Sequence, residues 1–219
     1  MSLRMNQTML VHVPRTGGTW IREVVERLGL LRQQLRGDVD SHFTYPELSR
    51  YWSSLTPLIV VRHPWTWLES RWSHAAKIRA RQNQRHYGPH QWFDDEVDET
   101  SFENTVSNFV DLPSGIVSET YWAMMGDGDW SQPGQVLRFE TLSDSVVGAL
   151  TRLERSKHFD EESFRSRCLA VVRSTPRVNS TRDEAREAGL FRCSDELRQR
   201  FLDSEIEYMG RFQYSRETL

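Results

Sequence analysis

Between residues 9 and 28 the chain passes from an apolar run, through two glycines, into a helical pattern. That passage limits what the remainder can form. Met9, Leu10, Val11 and, beyond His12, Val13 suit a short buried strand. Pro14, Arg15, Thr16, Gly17, Gly18 and Thr19 follow; from Trp20 onward Ile21, Val24, Val25 and Leu28 recur at helical spacing. A strand that turns on glycines into a helix start has the geometry of a phosphate cradle. Glycine lets the backbone approach an anion, and the amides of a first helical turn point at it. Arg15, Thr16 and Thr19 would add a cation and two hydroxyls. An ordinary strand-to-helix turn with a glycine stop fits the same residues equally.

The chain's 219 residues suffice for a core without disulfide or metal support, and a single domain over 1–219 is expected. A charged fraction of 27% beside 37% apolar residues is globular rather than disordered. No window approaches the ~20 apolar residues of a membrane span. The start lacks a secretory apolar segment, and Met1 to Leu3 fit a cloning remnant ahead of a start at Met5. Cys168 and Cys193 show no metal spacing and give little support for a disulfide, so a reducing, cytoplasmic setting is expected. A net charge of −3 provides no general attraction to nucleic acid or membrane. Among the 28 Lys and Arg residues only Lys77 and Lys157 are lysine. Arginine favours bidentate contacts with oxyanions, although a GC-rich genome gives the same bias.

Further along, residues 29–37 read as a helix end and loop, and residues 39–43 as a short second strand before a turn at Tyr45 and Pro46. Residues 47–55 read as a helix with Leu48, Tyr51, Trp52 and Leu55 on one face. The branched run Leu58, Ile59, Val60, Val61 fits a parallel strand covered on both faces. It ends at Arg62, and Pro64 starts another helix. A helix presenting Ser70 beside Arg62 makes a second anion site, and both sites fall at strand carboxyl ends, where open α/β sheets bind ligands. Residues 77–90 are basic and 94–99 acidic, a surface insertion or a substrate-gripping loop. Helices are expected over 102–110, 143–153, 161–172 and 195–209, a loop over 124–134 and a strand over 135–139. The polar link 174–181 could close over a nucleotide or be a plain connection. Strands alternating with helices indicate an α/β fold.

A P-loop NTPase needs two glycines five apart, then Lys and Ser/Thr. Here Gly17 and Gly18 are adjacent and the cation, Arg15, precedes them, which disfavours an ordinary ATPase or kinase. The pattern instead resembles the PAPS-dependent sulfotransferases. In that family a Pro-Lys/Arg-Ser/Thr-Gly-x-Thr loop holds the 5′-phosphosulfate, as in residues 14–19 here. An Arg at a strand end, followed by Pro and by a Ser eight positions on, holds the 3′-phosphate, as with Arg62, Pro64 and Ser70. The stretch Val136-Leu137-Arg138-Phe139-Glu140-Thr141-Leu142 is similar to the family's "vlrYEdL" strand. Within the family the chain looks most like the glycan O-sulfotransferases of the heparan 6-O type, with only a loose match in the final third.

The resemblance implies a P-loop-like three-layer fold, a central parallel β-sheet flanked by helices, and sulfuryl transfer from PAPS to a hydroxyl, on a glycan or another small molecule, leaving PAP. It implies no metal, and the charge and hydropathy above give no nucleic-acid partner and no transmembrane segment. Such transfer resembles phosphoryl transfer: in-line, loose, and catalysed by placement and charge. Arg15 would stabilise the departing phosphate, but arginine is not a proton donor at neutral pH. His42 falls where the glycan enzymes have their catalytic His and is the expected base, with Asp40 the runner-up. His12, His63 and His74 read as packing or hydrogen-bonding residues. Thr16, Gly17, Gly18 and Thr19 would complete the cradle. Arg62 and Ser70 would grip the 3′-phosphate. Trp20 would contact adenine or simply pack in the core. Arg177, Asn179, Ser180 and Thr181 are candidates to cover the nucleotide. An atypical P-loop nucleotide kinase and a non-catalytic PAP(S)-binding module are the rival readings.

Overall fold

Three short parallel strands position everything that follows. The computed structural model describes residues 2–35, 43–82, 97–112, 114–154, 160–176 and 181–216. The strands are β1 (Ser2–Arg4), β2 (Thr8–Val11), β3 (Gln33–Leu35), β4 (Thr56–Val61) and β5 (Val136–Arg138), in the sheet order β3-β1-β2-β4-β5. Strand β4 pairs in parallel with β2 on one side, Leu10 opposite Leu58, and with β5 on the other, Val60 opposite Leu137. Strand β1 runs antiparallel to both its neighbours. The sheet is therefore mixed, mostly parallel, and belongs to an α/β architecture.

The helices follow from capping and spacing. Helix α1 (Gly18–Arg27) starts on the glycine turn. Helix α2 (Tyr45–Trp52) starts earlier than its apolar periodicity suggests, where a turn is expected. Thr44 and Glu47 form a reciprocal capping box: the Thr44 N–H donates to Glu47 Oε2 at 2.7 Å, and the Glu47 N–H donates back to Thr44 Oγ1. Helix α3 (Pro64–Gln82) opens on the expected proline. It carries the first part of the basic stretch, whose residues 83–96 lie outside the described residues. Then come α4 (Phe102–Val110), α5 (Ile116–Met125), α6 (Leu142–Leu153), α7 (Glu161–Ser174), α8 (Thr181–Glu187), α9 (Asp195–Ser204) and α10 (Ile206–Arg211). None of the described helices is long and apolar enough to cross a membrane.

Contacts divide the chain into two compact units, Met1–Arg62 with Ala123–Val178, and His63–Trp122 with Asn179–Leu219. The first contains the sheet. On one sheet face Leu3, Leu10, Leu58, Val60 and Leu137 pack with Ile21, Val24 and Val25 of α1, Val146, Val147 and Leu150 of α6, and Phe164, Cys168 and Val172 of α7. The opposite face is buried too, through Met9, Val11, Ile59 and Val61. Burial on both faces is why β4 reads as an unbroken apolar run rather than an alternating one. The second unit is helical. Edge-to-face contacts join Trp65 and Trp72 of α3 to Phe102 of α4, and Trp65 to Phe201 of α9.

The structure corrects several sequence expectations. Residues 2–4, to which the sequence assigned no element, form β1, with Leu3 fully buried and paired to both neighbours. Gln33–Leu35, expected as loop, is the edge strand β3; an edge needs no branched apolar run, and two glutamines hide the signal. The single tail helix over 195–209 is two helices, broken at Glu205, whose side chain turns away to the start of α5. The strand expected over 39–43 falls almost wholly outside the described residues.

Candidate functional site

Strands β2, β4 and β5 are parallel neighbours, so their carboxyl ends lie along one edge of the sheet. The turn 12–17 leaves β2 there, Arg62 immediately follows β4, and Phe139 immediately follows β5. Three stretches far apart in sequence thus meet at one place within the first unit, at the edge where open α/β sheets bind ligands.

The β2-to-α1 turn is built on left-handed backbone. Gly17 has φ +83° and serves as N-cap of α1, with no side chain capping the helix. Arg15 also has a positive φ, 66°, unusual for a residue with a side chain. The buried hydroxyl of Thr16 donates to the Val13 carbonyl at 2.7 Å, tying the turn together rather than facing outward. Thr19 is exposed on the first helical turn. The first bond of α1 runs from the Ile21 N–H to the Gly17 carbonyl. The amides of Gly18, Thr19 and Trp20 precede it, and amides in that position are the ones that meet anions.

Neither glycine is explained by a ligand. A Cβ on Gly17 would stand 2.9 Å from Leu142 Cδ2 and 3.4 Å from Phe139 Cε2, on backbone that already disfavours a side chain. A Cβ on Gly18 would stand 2.0 Å from Cδ2 of His12. The space a side chain would need is filled by the protein's own core. The turn requires glycine for packing, whether or not an anion sits on it.

Arg62 is 2% exposed. Its Nη1 donates to the main-chain carbonyl of Arg15 at 2.8 Å, and its guanidinium carbon lies 4.1 Å from the centroid of the Phe139 ring. A buried cation needs such compensation, here from a carbonyl dipole and an aromatic face. The arginine that ends β4 is therefore attached to the turn that follows β2.

Trp20 is buried at the start of α1 and donates through Nε1 to the Thr175 carbonyl at 3.2 Å. Arg27 donates to the Thr175 hydroxyl at 2.8 Å, and that hydroxyl donates to the Val171 carbonyl at 2.7 Å. Beside Trp20 lies a cavity of about 260 Å³, lined also by Ser143, Asp144, Arg173 and Thr175, with Leu169 and Val172. One indole thus packs and lines a cavity at once.

Ser70 is buried on α3, in the second unit. In the same unit His63 lies with Nε2 3.2 Å from the Ser215 carbonyl and its ring edge-on to Tyr214, a packing role. Thr181 opens α8. His42 and Asp40 lie outside the described residues, as do Arg177, Asn179 and Ser180. The sequence reading overlooked Phe139 as a site residue, and also Ser143, Asp144 and Arg173; Thr175 lies in the polar link 174–181 that it did single out. Phe139 had a signal, an aromatic directly after a parallel strand. The other three come from α6 and α7, and nothing in their local sequence marks them.

Comparison of the chain with protein-family models, with curated proteins and with solved structures gives no match.

Proposed function

We propose that the protein is a sulfotransferase that moves a sulfuryl group from PAPS to a hydroxyl on a carbohydrate acceptor, on a P-loop-like three-layer scaffold. The observation that carries this reading is the meeting of the three family-like stretches at the ends of β2, β4 and β5, with Arg62 bonded to the carbonyl of Arg15. A bisphosphorylated nucleotide needs two cationic regions within one ligand length, and that attachment supports such a spacing.

In this reading the amides from Thr16 to Trp20 cradle the 5′-phosphosulfate, and the Arg15 guanidinium stabilises charge on the departing phosphate. Thr16 contributes through its backbone, since its hydroxyl holds Val13. Arg62 takes the 3′-phosphate. The cavity beside Trp20 suits a flat base, with the indole as one wall and Arg173, Asp144 and Ser143 as polar neighbours. The bond from sulfur to the 5′-phosphate oxygen breaks as the acceptor oxygen bonds to sulfur, and His42 accepts the acceptor's proton.

Isothermal titration of the purified protein with PAP tests the reading. Saturable binding without Mg²⁺, at or below micromolar Kd, is expected. No heat at millimolar PAP removes the proposal, and Mg²⁺-dependent ATP binding in preference to PAP replaces it with a kinase. If PAP binds, labelled PAPS with a panel of glycans distinguishes an enzyme from a binding module.

A further inference from the structure

We infer that Phe139 is a positioning residue that holds the Arg62 guanidinium in place and thereby sets the preference of the site for a nucleotide bearing a 3′-phosphate. The inference rests on the proposed function, but its own content lies in one aromatic ring and its two neighbours.

Phe139 occupies the first residue after β5, in a short 3₁₀ turn, Phe139–Thr141. Its ring does two things. Along one edge, Cε2 and Cδ2 stand 3.4 and 3.6 Å from the position a Gly17 Cβ would take, so the ring borders the turn that opens α1. Its face lies beneath Arg62, 4.1 Å from guanidinium carbon to centroid. The ring and the hydrogen bond from Nη1 to the Arg15 carbonyl both hold Arg62. Two restraints of different kind fix both the place and the plane of a guanidinium: the carbonyl sets the direction of one N–H, and the ring sets the tilt.

A long arginine side chain otherwise loses its freedom only when a ligand binds, and affinity suffers accordingly. Held beforehand, it meets a phosphate without that loss. The attraction between a cation and a ring face comes from the ring's quadrupole, which an aliphatic side chain of similar bulk lacks. A leucine at 139 therefore keeps apolar contact beside Gly17 and Leu142 but removes the restraint the ring places on the tilt of Arg62. A tyrosine keeps the ring and its effect.

The test compares wild type, Phe139→Leu and Phe139→Tyr by calorimetry with PAP and with AMP, which lacks the 3′-phosphate. Thermal unfolding of each protein is measured alongside. Phe139→Leu is expected to weaken PAP about tenfold and AMP less than about twofold, and Phe139→Tyr to restore the wild-type ratio. Loss of PAP preference in the leucine protein alone is a readout that a merely structural role does not move. An unchanged PAP-to-AMP ratio in Phe139→Leu overturns the inference while leaving the proposed function standing. Equal losses for both ligands, with a lowered melting temperature, also overturn it in favour of a packing role. Failure of wild type to bind PAP removes the proposed function itself, and this inference with it.

Discussion

In the β2-to-α1 turn His12 packs directly on Gly18. The imidazole lies against the face of Gly18 where any other residue carries its first side-chain atom, at a would-be separation of 2.0 Å from Cδ2 and 2.1 Å from Nε2. Gly18→Ala must therefore displace the ring, and overpacking of this kind costs about 1–3 kcal/mol. Chemical denaturation of Gly18→Ala should show that loss, and adding His12→Ala should recover most of it, because the two positions share one contact. If the double variant is no more stable than Gly18→Ala alone, the collision lies elsewhere. The glycines were legible in the sequence as a turn into a helix, and the turn is there. Their reason was not. Pattern alone suggested room for an anion, whereas the structure fills the relevant space with His12 on one side and with Leu142 and Phe139 on the other. Those side chains come from both near and far in the chain, and only folding brings the far ones to Gly17.

Glu205 shows what an element boundary can depend on. Its buried carboxylate accepts the Val117 and Ser118 N–H groups at 2.7 and 2.8 Å and the Ser118 hydroxyl at 2.6 Å, so it caps α5 from the break between α9 and α10. Burial pushes its pKa from 4.5 up to about 7, against the opposing pull of those hydrogen bonds. A carboxyl whose folded pKa lies above its unfolded value binds more protons folded than unfolded. Its contribution to stability is complete below the unfolded value and disappears as pH rises through about 7. Melting temperatures measured between pH 5 and 8 should therefore contain a downward contribution that Glu205→Gln removes. A variant with the same pH slope as wild type would show that Glu205 does not titrate there. No local pattern announces this cap. Residues 195–209 read as one amphipathic helix, and the acceptor's partners are 87 and 88 positions away. Helix α4, by contrast, has the bounds expected from the sequence, and its Ser101 cap is local.

At the scale of the molecule, the parallel strands and the helices packed on them were readable from unbroken apolar runs and helical periods. The short strands β1 and β3 were not, since three residues carry too little pattern. Helices α5 and α8 were missed as well, the former because its apolar residues surround it on most sides rather than forming a stripe. Binding and turnover can be separated experimentally. His42→Ala should abolish sulfuryl transfer while leaving PAP affinity nearly unchanged, as measured by labelled PAPS assay and calorimetry; retained turnover would move the base to Asp40 or to another group.

The hydrogen bond from Arg62 ends on a main-chain oxygen, not on the side chain of residue 15. Every amino acid supplies that oxygen. Position 15 can therefore exchange one cation for another, lysine for arginine, and the strand-end guanidinium keeps its anchor so long as the new residue accepts left-handed backbone. The chemistry offered to a ligand at this position is thereby tunable by mutation independently of the architecture that holds the neighbouring charge.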